Sequence, residues 1–373
     1  LDAAVDEVLR GGEAGIAAEV HNLTAVLMDE LPRGLARAIA ACTGALSDLP
    51  PSPPDGDDEE VIRFSAGPEP ELAPWLPPGR VLGGFYILRP IGRGGGGSVF
   101  VACRAERRHD PEAELYALKV PEFTGAQASA LSEAEFLDLF RQEAGTLLAL
   151  PRHRSLARLI TFDGGAQPKP FLVMELVSGT SLDHMLAEGE LDLETGLDVL
   201  DGVGAGLEAM HSVGIAHLDV KPSNIIIRRG APVLVDFGVS GRHLRPGCAT
   251  PPYGAPEVWQ ERLAPPGFAP MPTDAYAYAC VAFEVLTGRQ LFDAGTAQGV
   301  LAAHLGHDGR PRLLVQLADD PALRPLVEIL RRGLRASPAQ RAAVADLRSG
   351  LAALRPRLAR RAWPIAPPQG WPS

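Results

Sequence analysis

Four short strings of residues carry groups suited to moving a phosphoryl group. His217-Leu218-Asp219-Val220-Lys221-Pro222-Ser223-Asn224 sets a carboxylate, an ammonium and an amide close together. Asp219 can accept or orient the proton of an attacking hydroxyl. Lys221 can neutralise charge on a transferring phosphoryl group, and Asn224 offers an amide oxygen suited to Mg2+. Asp236-Phe237-Gly238 follows the apolar run Val233-Leu234-Val235 and adds a carboxylate, the hard ligand that Mg2+ prefers. Ile91-Gly92-Arg93-Gly94-Gly95-Gly96-Gly97-Ser98-Val99 fits the pattern G-x-G-x-x-G-x-V. Without Cβ atoms, its backbone N–H groups can approach phosphate oxygens closely. Lys119, in the apolar string Tyr116-Ala117-Leu118-Lys119-Val120, needs a counter-charge because an unpaired buried ammonium is costly. Phosphates could supply it, and Glu143 on the following helix could hold the side chain in place.

Each string alone also has a plain structural reading. A glycine run is often a flexible turn, Lys119 could snorkel to solvent, and Glu143 could be a solvated surface charge. The weight lies in their order and separations, completed by Ala255-Pro256-Glu257 about twenty residues after Asp236. The glycine run sits between two predicted strands. A dinucleotide fingerprint needs a strand followed by a helix, so that reading is disfavoured.

The elements that must position these groups fall into two textures. Short apolar runs at Val81 to Leu88, Ser98 to Arg104 and Leu115 to Val120 predict strands. A helix is predicted from about Ser132 to Leu150, then a strand pair through Leu156 to Phe162 and Phe171 to Leu176. Beyond Ser181 the pattern is mainly helical to about Leu358, with short strands near Ile225 and Val233. The expected fold is α+β and bilobal. A small antiparallel sheet lobe with one main helix (79–176) precedes a larger, mostly helical lobe (177–358), with a tail at 359–373. Ahead of it, 1–46 reads as a helical extension. Residues 47–78 read as a proline-rich acidic linker that cannot bury enough apolar surface to offset ordering entropy, with Phe64 or Trp75 as possible points of attachment. The extension is a candidate contact for a partner or an upstream domain. Arg355, Arg357, Arg360 and Arg361 read as a solvated helix end, or as an attachment to an acidic surface.

Over 373 residues the formal net charge is -11, which argues against nucleic acid as the main partner. The 4 cysteines are scattered with no C-x-x-C pair, so a disulfide scaffold or zinc site is disfavoured and a cytoplasmic, reducing location is expected. No signal peptide and no transmembrane stretch is visible.

Together these residues resemble the eukaryotic-type Ser/Thr protein kinase family, including its bacterial members, over about residues 80 to 356. The resemblance implies ATP and Mg2+ as ligands and a protein as substrate, of unknown identity. It implies that Gly92, Gly94, Gly97 and Lys119 contact the nucleotide and that Glu143 pairs with Lys119. Val99, Ala117 and Ile226 would enclose the adenine, Met174 would be the gatekeeper, and Glu175 to Val177 the hinge. Asp219, assisted by Lys221, would be the catalytic aspartate, with Asn224 and Asp236 as magnesium ligands. Asp274 would hold the catalytic loop, Arg341 would pair with Glu257, and Leu147, Leu159, His217 and Phe237 would stack between the lobes. Lys221-Pro222, with Thr250 ahead of Ala255-Pro256-Glu257, is similar to the Ser/Thr branch.

Two departures stand out. Leu218 replaces the arginine that ordinarily receives an activation-loop phosphate, and the short segment from Asp236 to Glu257 offers only Ser240 and Thr250 as Ser/Thr hydroxyls. Constitutive activity, or control through the N-terminal region, is therefore expected. A pseudokinase, a scaffold acting through residues 1–78, and a small-molecule phosphotransferase are the rival readings.

Overall fold

Side-chain alternation builds the first lobe. The computed structural model describes residues 75–94, 97–121, 132–237, 240–244, 249–264, 267–368 and 370–371. Six strands form one antiparallel sheet: β1 (Val81–Leu82), β2 (Phe85–Gly94), β3 (Gly97–Arg104), β4 (Leu115–Val120), β5 (Leu159–Asp163) and β6 (Phe171–Glu175), in the order β1-β2-β3-β4-β6-β5. In β4, Tyr116, Leu118 and Val120 point into a core with Phe85, Ile87, Phe100 and Phe171. Because strand side chains alternate, Ala117 and Lys119 must face the other way. Trp75 packs edge-on against Phe100 at 6.0 Å, with Lys169 5.7 Å from its ring centroid. Phe64, the 1–46 extension and the linker up to residue 74 lie outside the described residues.

Helix α1 (Glu133–Leu148) starts on a capping box. Ser132 N–H donates to Glu135 Oε2 at 2.8 Å, and Glu135 N–H donates back to Ser132 Oγ at 3.3 Å.

The second lobe is mostly helical, as expected. It contains α2 (Leu182–Glu188), α3 (Leu193–His211), α4 (Pro256–Trp259), α5 (Met271–Thr287), α6 (Ala297–Leu305), α7 (Arg312–Leu317), α8 (Arg324–Gly333) and α9 (Val344–Leu358). A three-stranded antiparallel sheet, β7 (Thr180–Ser181), β8 (Ile225–Arg228) and β9 (Ala231–Leu234), joins these helices. Helix α5 is apolar on all sides and every residue from Thr273 to Thr287 is buried, so the lobe is built around it. Its few polar side chains are all engaged. Tyr278 donates to Leu200 O at 2.9 Å, and Thr273 donates to Glu257 Oε1 at 2.8 Å.

Glu257 and Arg341 pair in full burial, 2.7 and 3.0 Å apart through both guanidinium NH2 groups. Arg341 also donates to the carbonyls of Pro272 and Arg335. The geometry is bidentate and charge-assisted, which buried ions require.

The segment after α9 is docked. Trp363 Nε1–H donates to Val285 O at 2.8 Å and Ile365 N–H to Leu286 O at 2.9 Å. Trp371 meets Phe283 edge-on at 5.9 Å. The Arg355 and Arg361 guanidinium groups are taken by Asp198 and Asp320, each at 2.6 Å, so much of the basic helix end is paired within the lobe.

Replacing Arg341 by Leu strands the Glu257 carboxylate in an apolar interior. Urea unfolding of Arg341→Leu should show a loss of about 3–5 kcal/mol, and Glu257→Leu added to it should recover part of that loss.

Candidate active site

The site is organised from below by one carboxylate. Asp274, on the first turns of α5, is wholly buried. It accepts from His217 N–H at 2.7 Å, from Leu218 N–H at 2.8 Å, and lies 2.8 Å from His211 Nε2 at the end of α3. Three bonds to one buried carboxylate fix the peptide run 217–218. They also hold Leu218 at φ 67 and a backbone conformation that L side chains adopt reluctantly. Resemblance singled out Asp274, but nothing in the sequence marked His211 as its third partner.

From that anchor the chain delivers Asp219, Lys221 and Asn224. Lys221 Nζ lies 2.8 Å from Asp219 Oδ2 and 2.8 Å from Thr250 Oγ1, to which it donates. Thr250 in turn donates to Asp219 Oδ1 at 2.7 Å. Asn224 Nδ2 donates to the Asp219 carbonyl at 2.9 Å and to Asp219 Oδ2 at 3.1 Å, which turns its amide oxygen away. Burial pushes the Asp219 pKa up, but the Lys221 charge, the Lys221 and Thr250 hydrogen bonds and His217 outweigh it, leaving the pKa below the ordinary carboxylate value. Asp219 is therefore ionised at neutral pH, ready to orient a hydroxyl.

Above this cluster, Lys119 is 4% exposed and its Nζ sits 3.8 Å from Asp236 Oδ1. The Asp236 side chain is 56% exposed and its backbone is left-handed, at φ 56. Val235 N–H donates to Asn224 O at 3.0 Å, tying the two candidate metal ligands into one backbone frame. Phe237 is buried with its ring 5.3 Å from that of His217, and Leu147 belongs to the same core with Leu159 at its edge. Glu143 lies on α1, but its side chain is outside the described residues, as are Gly95, Gly96 and Gly238.

The glycine-rich turn joins β2 and β3, with Gly92 opposite Val99 and Gly94 opposite Gly97. A Cβ on Gly97, at φ 131, would come within 2.1 Å of Val120 O, so only glycine lets this turn lie against the end of β4. Val99 pairs in register with Lys119, and Ala117 with Met174. Val99, Ala117, Val177 and Ile226 are all half-buried, and Met174 is nearly covered. Glu175 is tied down within the protein. Its N–H donates to Arg158 O at 2.8 Å and its carboxylate binds Arg228, so its side chain pins the strand end rather than facing a ligand.

Leu218 is buried. With Thr250, Tyr253, Gly254, Ala255 and Ala277 it lines a small pocket beside Asp219. Apolar packing thus occupies the position after His217. Ser240 is also buried, and its hydroxyl donates to His217 O at 3.0 Å, so it braces the same loop. Alternation and spacing could not reveal that inward orientation. Tyr253 donates to Glu284 Oε2 of α5 at 2.7 Å. Glu284 is 9% exposed, and burial drives its pKa up from 4.5 to about 7, although the Tyr253 bond opposes the rise.

The protein kinase domain family matches residues 85–347. Serine/threonine-protein kinase PkaA of Streptomyces coelicolor is 31% identical over 291 residues, covering 73% of this chain and 50% of that protein. Serine/threonine-protein kinase pkn2 of Myxococcus xanthus is 30% identical, covering 60% of this chain and 26% of that protein. Serine/threonine-protein kinase PknA of Mycobacterium tuberculosis is 32% identical over 317 residues, covering 78% of this chain and 68% of that protein. The chain thus spans about half or less of the first two relatives.

Glu284 sets a pH dependence of stability. Its folded pKa lies above its unfolded one, so between about pH 4.5 and 7 the folded chain holds a proton that the unfolded chain has released. Stability should fall as pH rises through that window. Chemical unfolding at several pH values should show the parent losing up to about 3 kcal/mol relative to Glu284→Gln across it.

Proposed function

The chain belongs to the protein kinase domain family, and from that premise we propose that it transfers the γ-phosphate of ATP to serine or threonine hydroxyls of a protein substrate. The observation that carries this reading is the ionised Asp219, bonded at once by Lys221, Thr250 and Asn224 below the Lys119–Asp236 pair. The named relatives, all Ser/Thr-protein kinases, support the choice of acceptor.

The residues fit the ligands. Gly97 holds the turn against Val120 O of β4, and at Gly92 the space beside the backbone is open, as a phosphate cradle needs. Asp236 and Asn224 are one carboxylate and one amide. Among the described residues no group of three or more His, Cys, Asp and Glu forms a cage. Mg2+ suits such a sparse set, because it is usually held by one or two carboxylates together with substrate phosphates. When bound, Mg2+ supplies neutralisation of the phosphate oxygens.

The chain's own residues do the rest. Lys119 holds a phosphate by its ammonium, with Gly92, Gly94 and Gly97 offering backbone donors and Glu143 orienting the lysine. Val99, Ala117, Met174 and Ile226 enclose the base, and the backbone from Glu175 to Val177 reads its edge. Asp219 orients the acceptor hydroxyl and takes its proton, while Lys221 balances charge on the phosphoryl group in flight. Thr250 ties the acceptor side to Asp219.

Leu218 cannot bind a phosphate and Ser240 is turned inward, which supports activity without loop phosphorylation. Cys103 and Cys280 are free and buried, consistent with a reducing, cytoplasmic setting. Among the described residues no helix is long and apolar enough to cross a membrane.

Transfer of labelled phosphate from Mg-ATP tests the reading. Asp219→Asn should lower turnover by about 10²–10⁴-fold, the usual worth of a positioned general base. Lys119→Met should mainly weaken productive ATP placement, and near-parental turnover in either variant would refute that residue's role. Phosphosite mapping of the folded chain should find no phosphate on Ser240. Phosphate there, with activity depending on it, would overturn the proposal of loop-independent activity.

A further inference from the structure

Beneath the segment that brings Thr250 to Asp219 lies a buried chain of ring groups that the phosphotransfer reading does not use. Tyr276 of α5 places its hydroxyl 2.7 Å from His304 Nδ1 and 2.9 Å from His307 Nε2. Gly309 N–H donates to His307 Nδ1 at 3.1 Å. Phe292 closes one side, with its ring 3.9 Å from that of His304 and 5.1 Å from that of His307. His304 is fully buried. Its Nε2 has no hydrogen-bond partner among the described residues; helix α6 packs on the Pro251–Tyr253 turn, and the Pro251 and Pro252 carbonyls lie near the ring.

Donor and acceptor rules order the hydrogens. A backbone N–H can only donate, so His307 Nδ1 must accept and its single ring proton sits on Nε2. That proton goes to the Tyr276 oxygen, which leaves the Tyr276 hydrogen for His304 Nδ1. The His304 proton is then on Nε2, where it faces the two carbonyls. The opposite order would aim a lone pair at those carbonyls and leave the tyrosine hydrogen buried without an acceptor, which is costly. Both imidazoles remain neutral at ordinary pH. Burial lowers His304 to about 3, with His307 adding to the effect. Burial also lowers His307 to about 4; Arg341 pushes the same way and Asp308 opposes it.

We propose that His304, set by the Gly309–His307–Tyr276 relay, is a positioning residue for the acceptor side of the site. Its Nε2–H completes a bond to the Pro251 or Pro252 carbonyl when an acceptor peptide seats that segment. The proposal rests on the protein phosphotransferase reading. Pro251–Tyr253 forms a helical turn directly after Thr250, and Thr250 is bonded to Asp219. A strut under this turn therefore acts on the peptide's approach and leaves the nucleotide side alone.

Two measurements on the full chain decide it. Nitrogen-15 spectra of the histidine side chains should show His304 and His307 both neutral at pH 6 to 8, each with its proton on Nε2. A proton on Nδ1 of His304, or an ordinary titration near pH 6.5, would overturn the relay. Kinetics should compare water with a pooled library of serine- and threonine-centred peptides as acceptors. Tyr276→Phe keeps the ring and removes the central hydroxyl. It should raise the apparent KM for peptides about three- to tenfold, the worth of one neutral hydrogen bond, with ATP hydrolysis and the KM for ATP unchanged. His304→Gln, which retains a donor, should lie closer to the parent than His304→Leu. Equal losses with both acceptors, or no change with either, would reject the positioning role. A parent chain that transfers nothing to peptide would sink the phosphotransferase reading, while the spectra still judge the hydrogen order independently.

Discussion

A single buried carboxylate, Asp274, underlies the arrangement of the whole site. Removing it from water is costly unless its oxygens find donors, and the donors it finds are the two backbone N–H groups of His217 and Leu218, with His211 beside it. The need to satisfy Asp274 and the need to place Asp219 are thus met by the same few atoms. The left-handed conformation of Leu218 is tolerated because these bonds over-determine it. Ser240 adds a brace to the His217 carbonyl, and Ala216 pairs with Gly241, so the loop is held from two sides.

Helix α5 extends that logic. Because it is apolar all round, it must be enclosed, and each polar group that it carries has to be answered by a neighbour. Asp274 answers the backbone of His217 and Leu218, Tyr276 the imidazole pair, Tyr278 the carbonyl of Leu200, and Glu284 the hydroxyl of Tyr253. Parts of the lobe far apart along the chain are therefore registered against one rod. Glu257 and Arg341, 84 positions apart, tie the segment after Thr250 to the approach of α9 in the same way.

Much of this was legible in the residues. The alternation of β4 shows why Lys119 stands apart from Tyr116, Leu118 and Val120. The turn glycines, the strand pair near Ile225 and Val233 and the mainly helical second lobe follow from period and punctuation. Resemblance added Asp274, Arg341 and the stack of Phe237 on His217. What stayed hidden depends on long-range closure. His211 meets Asp274 across 63 positions. Ser240 looks like any loop hydroxyl until its bond to His217 O is seen. The hinge reading of Glu175 concerns its backbone, and nothing local shows that Arg228 binds its carboxylate. His304 and His307 have no local pattern at all, because their partner is a tyrosine on another helix.

The docked segment beyond α9 has a consequence for how the molecule comes together. A helix leaves its last carbonyls without partners of its own. In α5, Glu284 O is answered at once by Gly288 N–H, but Val285 O and Leu286 O wait for Trp363 and Ile365. Without that segment both carbonyls would have to be answered by water, so the C-terminal end of the central rod is shielded by residues nearly eighty positions further along the chain.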